Sequence, residues 1–162
     1  LHLGAISLLK AGKCSSIEEG TSMLQKLLEN GKAFEKLKEI VKCQGGMVEA
    51  IDDIALLPQA EFVVDFVSTQ NGYVKTLDAL KVAQACKLLG AGREKKEDSI
   101  DYSVGVVLNK KIGDCVEQGE VIARIHANSK ALAQQALENL EKAYIIDNNP
   151  CCVPNLIHKV IG

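Results

Sequence analysis

The stretch GDCVEQGEVIARI, residues 113–125, decides the fold of the second half of the chain. Gly113 and Gly119 predict tight turns at the two ends of a short strand, because glycine adopts positive φ without a steric penalty. The apolar, β-branched run from Val121 to Ile125 predicts the next strand. We therefore expect a small sandwiched barrel, in which both glycines serve folding and not chemistry.

Strand and helix signals surround this stretch on both sides. Upstream, residues 62–67 and 73–77 predict two strands joined by a turn at Asn71-Gly72. A helix capped by Asp78 follows and ends at residues 90–92. Downstream, the sequence predicts a strand over residues 104–108, a helix that begins after Asn128 or Ser129, and a last strand over residues 144–146.

The first third of the chain has a different pattern, with apolar residues recurring at helical spacing up to about residue 57. Ser15 with Glu18 predicts a capping box at the start of the second helix. Glycines at 12, 31 and 45–46 predict the three helix ends. Helices followed by strands interleaved with two helices define an α+β fold, not a regular βαβ alternation.

Composition excludes several classes of partner and places the chain among ordinary globular proteins. Hydrophobic residues make up 47% and charged residues 25% of the 162 positions. Because the net charge is -2, the chain lacks the positive electrostatic potential that attracts nucleic acid or an anionic membrane. No apolar run reaches the roughly 18 residues of a membrane span. Six cysteines without a C-x-x-C pair favour free thiols in a reducing compartment, so we expect a cytoplasmic protein.

The pattern Gly-Asp-x-Val-x-x-Gly at residues 113–119 is typical of biotinyl and lipoyl carrier domains. A carrier needs its modified lysine on a hairpin tip just beyond this motif. Lys130 lies close to that place, but residues 131–140 keep helical spacing, and the partner half-barrel lies upstream at residues 71–74. The barrel fold therefore survives as an expectation, while a free-standing carrier or interaction module stays the alternative function.

Other candidate residues have simpler structural interpretations. The sequence Gly90-Ala91-Gly92-Arg93 follows a helix and does not precede one, so it favours a helix end over a phosphate cradle. The charged run after it should form a solvated loop, and we expect residues 90–99 to be the most mobile internal segment. The three histidines, His2, His126 and His158, have no carboxylate or cysteine at catalytic or metal spacing.

Read together and in order, several stretches closely resemble the C-terminal portion of bacterial pyrimidine nucleoside phosphorylases. The resemblance covers nearly the whole chain and is carried by Gly31-Lys32-Ala33-Phe34 and Gln44-Gly45-Gly46; by Asn71-Gly72-Tyr73-Val74; by Leu89-Gly90-Ala91-Gly92-Arg93 with Lys96-Glu97-Asp98, Ile100-Asp101 and Val104-Gly105; and by Lys111 to Ala127. Such an ordered set is far more specific than any single motif in it.

The resemblance implies a homodimeric enzyme of nucleoside salvage that uses phosphate to cleave thymidine, uridine or deoxyuridine into base and pentose 1-phosphate. Residues 1–57 would be late helices of its large α/β phosphate-binding lobe. Residues 58–162 would be its C-terminal α/β-hammerhead domain, a barrel-sandwich hybrid. The dimer interface would lie mostly outside this chain.

The resemblance also implies an absence. The family's K-H-S-x-G-G and S-G-R-x-L-x-x-T-G-G-T motifs, and the residues that read the pyrimidine, belong upstream of Leu1, so the chain reads as a truncated part of a longer enzyme. We accordingly expect no catalytic, substrate-binding or metal-binding residue and no cofactor in residues 1–162. Phosphate and nucleoside would be bound by the upstream lobes.

Overall fold

A computed structural model describes residues 1–93 and 95–161. The chain divides into two compact units, Leu1–Leu56 and the part from Leu57 onward. Helices and strands are both well represented, so the expected α+β class is confirmed. None of the helices in the described part of the chain has the length and hydropathy of a membrane span.

The first unit is entirely helical. Its elements are α1 (His2–Lys10), α2 (Ile17–Glu29), α3 (Lys32–Cys43), α4 (Glu49–Asp52) and a short 3₁₀ turn (Ile54–Leu56). The capping box lies one residue later than predicted: the Ser16 hydroxyl accepts a hydrogen bond from the Glu19 N–H, and Glu19 reaches back to the N–H and hydroxyl of Ser15. The prediction of Ser15 with Glu18 was therefore wrong by one position.

The second unit alternates strands with two helices. Its elements are β1 (Phe62–Val67), β2 (Gly72–Leu77), α5 (Ala79–Cys86), which runs into a π-helical turn (Lys87–Ala91), β3 (Gly105–Leu108), β4 (Cys115–Val116), β5 (Val121–Ala127), α6 (Lys130–Ala143) and β6 (Tyr144–Asp147). The predicted caps are confirmed: Asp78 accepts from the N–H groups of Leu80 and Lys81, and Ser129 accepts from that of Leu132.

The six strands form two antiparallel three-stranded sheets, with strand orders β1-β5-β3 and β4-β2-β6. Neither sheet closes into a barrel within residues 1–93 and 95–161, so the expected barrel-sandwich is not confirmed. The stretch 113–125 supplies β4 to one sheet and β5 to the other. Both predicted turn glycines do adopt positive φ, +94° at Gly113 and +85° at Gly119.

Strands β1 and β2 do not pair with each other, although the sequence predicts that a turn joins them. Ser68, just after β1, instead exchanges backbone hydrogen bonds with the β4–β5 turn, through Glu120 and Gly119. The side chain of Asn71 is used by the same turn, since its Oδ1 accepts from the Gln118 N–H at 2.7 Å. These bonds direct β1 and β2 into different sheets.

A single core lies between the two sheets and helices α5 and α6. Its fully buried members include Val74 and Val116 from one sheet, Ile122 and Ile125 from the other, and Leu140 from α6. The mobility expected for residues 90–99 stays a prediction. Within that loop, the Lys95 N–H donates to the Asp98 carboxylate at 2.8 Å, and Glu94 lies outside the described residues.

Candidate functional site

The most connected group of polar side chains in the second unit comprises Asp101, Ser103 and Asn128, here called the loop-base cluster. The Asn128 amide donates to Asp101 Oδ2 at 2.8 Å and to Ser103 Oγ at 2.9 Å. Ser103 donates to Asp101 Oδ1 through both its N–H and its hydroxyl. The Asn128 Oδ1 accepts from the Glu61 N–H at 2.7 Å. Three segments distant in sequence therefore meet at one point.

Hydrogen bonding explains the electrostatics of this cluster. The hydroxyl of Ser103, its N–H and the Asn128 amide all donate to the Asp101 carboxylate and lower its pKa. The Asp101 N–H in turn donates to the Gly90 carbonyl at 3.0 Å, which joins the two ends of the charged loop. Each of these groups has a hydrogen-bond partner within the chain, so the arrangement anchors the base of the loop.

Tyr144 connects the two sheets through the core. It is 7% exposed, its ring lies 5.6 Å from that of Phe66 in β1, and its hydroxyl donates to the Lys110 carbonyl at 2.9 Å. Burial, with a smaller contribution from the Asp114 charge, raises the pKa of this phenol to about 12. The phenol therefore stays protonated and donates its hydrogen bond, so the role of Tyr144 is structural.

An ion pair lies on the β4-β2-β6 sheet. Lys75 Nζ donates to Asp147 Oδ2 at 2.6 Å, and the Asn149 N–H and side-chain amide also donate to this carboxylate. The Lys75 bond, followed by those of Asn149, lowers the pKa of Asp147 from 3.8 to about 2. The pKa of Lys75 is raised, chiefly by the same bond.

We expect the Lys75–Asp147 pair to stabilise the second unit above about pH 4 and to lose this effect as the pH falls toward 2. A carboxylate with a depressed folded-state pKa takes up its proton more readily in the unfolded chain at these pH values. In urea unfolding between pH 5 and pH 2, the free energy of unfolding should fall less steeply with decreasing pH in Lys75→Met than in the unchanged protein. Lys159→Met, which removes the same charge elsewhere, should leave the slope unchanged; an equal effect would contradict the assignment.

Lys130, the candidate carrier lysine, is the first residue of α6 and not a hairpin tip. Its ammonium lies 5.2 Å from the centre of the Phe62 ring, a cation–π contact. Gly90 has φ of +109° at the end of the π-helical turn, as a helix end requires. His2 and His158 are exposed and His126 is partly buried in β5. The described residues contain no group of three or more His, Cys, Asp or Glu side chains placed to hold a metal ion.

The grooves on the second unit include one of about 500 Å³, lined by Asn71, Tyr73 and Glu117 among others, and two more. One, of about 440 Å³, is lined by Ser68, Gln70 and Tyr144 among others. The other, of about 420 Å³, is almost wholly apolar; its walls come from β2, α5, the end of β3 and residues 153–156 of the terminal segment. Neither groove presents a set of converging charged groups, so neither defines a substrate class.

Gly113 and Gly119 should both destabilise the fold when changed to alanine, by about 1–2 kcal/mol each, because both have positive φ. Gly113→Ala should cost more, since its new Cβ would clash with Cγ2 of Val153, whereas nothing lies within 4 Å of the Cβ position at Gly119. A double-mutant cycle with Val153→Ala, measured by urea unfolding, tests this. The extra effect of Gly113→Ala should vanish in the Val153→Ala background; its persistence there would show that Val153 is not its cause.

Comparison with known proteins assigns the second unit to a class. The second unit is an α+β domain built on two small antiparallel sheets. Residues 73–147, from the second residue of β2 through the end of β6, match the family described as pyrimidine nucleoside phosphorylase C-terminal domain. The match of residues 73–147 to this domain family confirms the resemblance drawn from the sequence.

Full-length relatives agree with this match over almost the whole chain. Over 161 residues, 99% of this chain, it is 38% identical to a pyrimidine-nucleoside phosphorylase of Staphylococcus haemolyticus (strain JCSC1435). It is 39% identical over the same length to that of Staphylococcus aureus (strain bovine RF122 / ET3-1). The chain spans 37% of the length of these relatives.

Proposed function

We propose that this chain is the C-terminal part of a pyrimidine-nucleoside phosphorylase, a pentosyltransferase of nucleoside salvage. The observation that carries the proposal is the match to such enzymes over 99% of the chain. The C-terminal domain match at residues 73–147 agrees with it. In the proposed reaction, a phosphate oxygen bonds to C1′ of the pentose as the N-glycosidic bond breaks. The pyrimidine leaves with the bonding electrons and takes up a proton.

In this proposal, residues 1–57 are helices of the enzyme's large α/β phosphate-binding lobe. Their surface supports this role, because α3 has no buried residue and exposes Phe34, Leu37 and Ile40 by 44%, 44% and 46%. The buried hydrophobic residues of the first unit are only Ala5 and Ala50. A helical unit with so little core needs further polypeptide to cover its apolar face.

Residues 58–162 are proposed to be the closing α/β-hammerhead domain, with its two three-stranded sheets as the counterpart of a barrel-sandwich. Its role is structural and supports closure of the lobes during turnover. The loop-base cluster suits this role, since it fixes both ends of the charged loop without supplying a reacting group. Phosphate and nucleoside are held by the upstream lobes, in a homodimer whose interface lies mostly outside this chain.

A phosphorolysis assay tests the proposal directly. The 162-residue chain should release no thymine or uracil from thymidine or uridine at any phosphate concentration, whereas the longer protein that contains it should release both base and pentose 1-phosphate. Turnover by the chain alone would contradict the division of roles. Inactivity of the longer protein toward every pyrimidine nucleoside would contradict the assignment itself.

The alternative, a free-standing biotinyl or lipoyl-type module, requires a modified Lys130. Its position at the start of α6, over the Phe62 ring, gives this alternative no support. Intact-mass measurement of the protein isolated from its own cells provides the decisive check, because biotin or lipoate on Lys130 would appear as a discrete mass increase.

A further inference from the structure

The terminal segment, residues 152–161, has no polar partner in this structure. Within the described chain it makes no hydrogen bond and no ion pair, and all ten of its residues are exposed. Its apolar side chains are correspondingly open to water: Val153 67%, Leu156 100%, Ile157 39%, Val160 62% and Ile161 86%. Ten residues of unpaired backbone with five large apolar side chains form an unusual surface for an otherwise well-paired domain.

The start of this segment is nevertheless fixed to the second unit. The Cys151 thiol donates to the Val74 carbonyl at 3.3 Å. Two residues later, Val153 lies over Gly113, where it occupies the space that a Cβ would take. The segment therefore leaves the β4-β2-β6 sheet from a defined position.

The residue pattern indicates which structure the unpaired part can adopt. Residues 156–161 read Leu-Ile-His-Lys-Val-Ile, which is rich in β-branched residues and contains neither glycine nor proline. In a strand, Leu156 and Val160 flank His158 on one face, and Ile157 and Ile161 flank Lys159 on the other. Apolar residues on both faces are typical of a strand in a sheet covered on both sides, as in α/β proteins.

The sheets of this chain cannot satisfy that pattern, because each keeps one face in water. The β1-β5-β3 sheet exposes the Asp65–Arg124 pair, with side chains 51% and 53% accessible. The β4-β2-β6 sheet exposes Lys75 and Cys115. A strand added to either sheet, in this copy or in a second copy, would leave half of its apolar side chains exposed.

We propose that residues 156–161 add as a β-strand to the edge of a sheet covered on both faces, located in the remaining polypeptide of the longer enzyme. This inference rests on the proposed function, since the relatives are longer than the chain, which spans only 37% of them, and the proposed large lobe is of the α/β type. Main-chain hydrogen bonds supply the affinity, and the two apolar faces are covered by the lobe's helices. The terminal segment thus ties the closing domain to the lobe that binds phosphate.

Hydrogen exchange measured on both the 162-residue chain and the longer protein tests this. Amides of residues 156–161 should exchange at the rate of an unstructured peptide in the chain and about 100-fold more slowly in the longer protein. Free exchange in both proteins would overturn the proposal. Protection already present in the chain would also overturn it: concentration-independent protection would mean that the segment packs on its own apolar groove, and concentration-dependent protection that it pairs with a second copy.

Proline substitutions identify the strand itself. Successive N–H groups of a strand point in opposite directions, so in the new edge strand only one of Lys159→Pro and Val160→Pro should abolish the protection of neighbouring amides. Loss of protection in both would place the segment inside a sheet and overturn its addition at the edge. Val160→Thr keeps the β-branch and the N–H, so the neighbouring amides should stay protected in this variant. Loss in all three variants, or in none, would contradict strand pairing. Phosphorolysis by the same longer protein is read separately, so failure of the proposed function and failure of the docking are distinguishable.

Discussion

Replacing Gly72 with alanine should lower the free energy of unfolding of the second unit by about 2–6 kcal/mol. Gly72 begins β2 with φ of +151°, a region that side chains with a Cβ rarely adopt. A Cβ built there would also lie 2.5 Å from the backbone oxygen of Asp147 in the neighbouring strand β6. Relief of that contact requires β2 and β6 to separate at the end of the sheet.

Gly105 is the matched control for this prediction. It begins β3 with φ of +153°, but nothing lies within 4 Å of its Cβ position. Gly105→Ala should therefore lower the free energy of unfolding only by the cost of the positive φ, about 1–3 kcal/mol. All three tyrosines lie in the second unit, so tyrosine fluorescence during urea unfolding reports that unit. Equal losses in the two variants would show that the approach of Asp147 does not decide the requirement for glycine.

Leu140→Ala should destabilise the second unit by about 2–5 kcal/mol, the range for a leucine removed from a packed core. Leu140 lies in α6 with 0% of its surface exposed, among the side chains of both sheets. Leu80→Ala in α5 provides the comparison, because Leu80 is 67% exposed and its loss should change stability by no more than about 0.5 kcal/mol. A similar loss in both would mean that α6 does not hold the core together.

Local signals in the sequence predicted most elements of the chain. The caps at Asp78 and Ser129 and the turns at Gly113 and Gly119 depend on a few neighbouring residues, and each was found in the predicted place. The error at the second helix was of the same local kind. Ser15 and Ser16 are adjacent and equally suited to capping, and only the observed bond from the Glu19 N–H distinguishes them.

The candidate site was much less predictable than the elements. Asp101 and Asn128 are 27 positions apart, and no spacing rule connects them. Asp101 lies in a stretch that carries the family resemblance, which was the one available signal, but the role of Asn128 becomes visible only when β5 and the loop are placed together. Tyr144 likewise acquires its raised pKa from burial, which the sequence does not state.

The sequence by itself determined the α+β class, the order of helices and strands, and the resemblance to a phosphorylase C-terminal domain, because these follow from periodicity, caps and ordered motifs. Tertiary structure alone decided which strands pair. Asn71-Gly72 has the composition of a hairpin turn, yet Asn71 bonds to Gln118 and Ser68 to Glu120, so β1 and β2 enter different sheets. Strand pairing depends on contacts between residues far apart in the chain, and a local turn preference is too weak to override them.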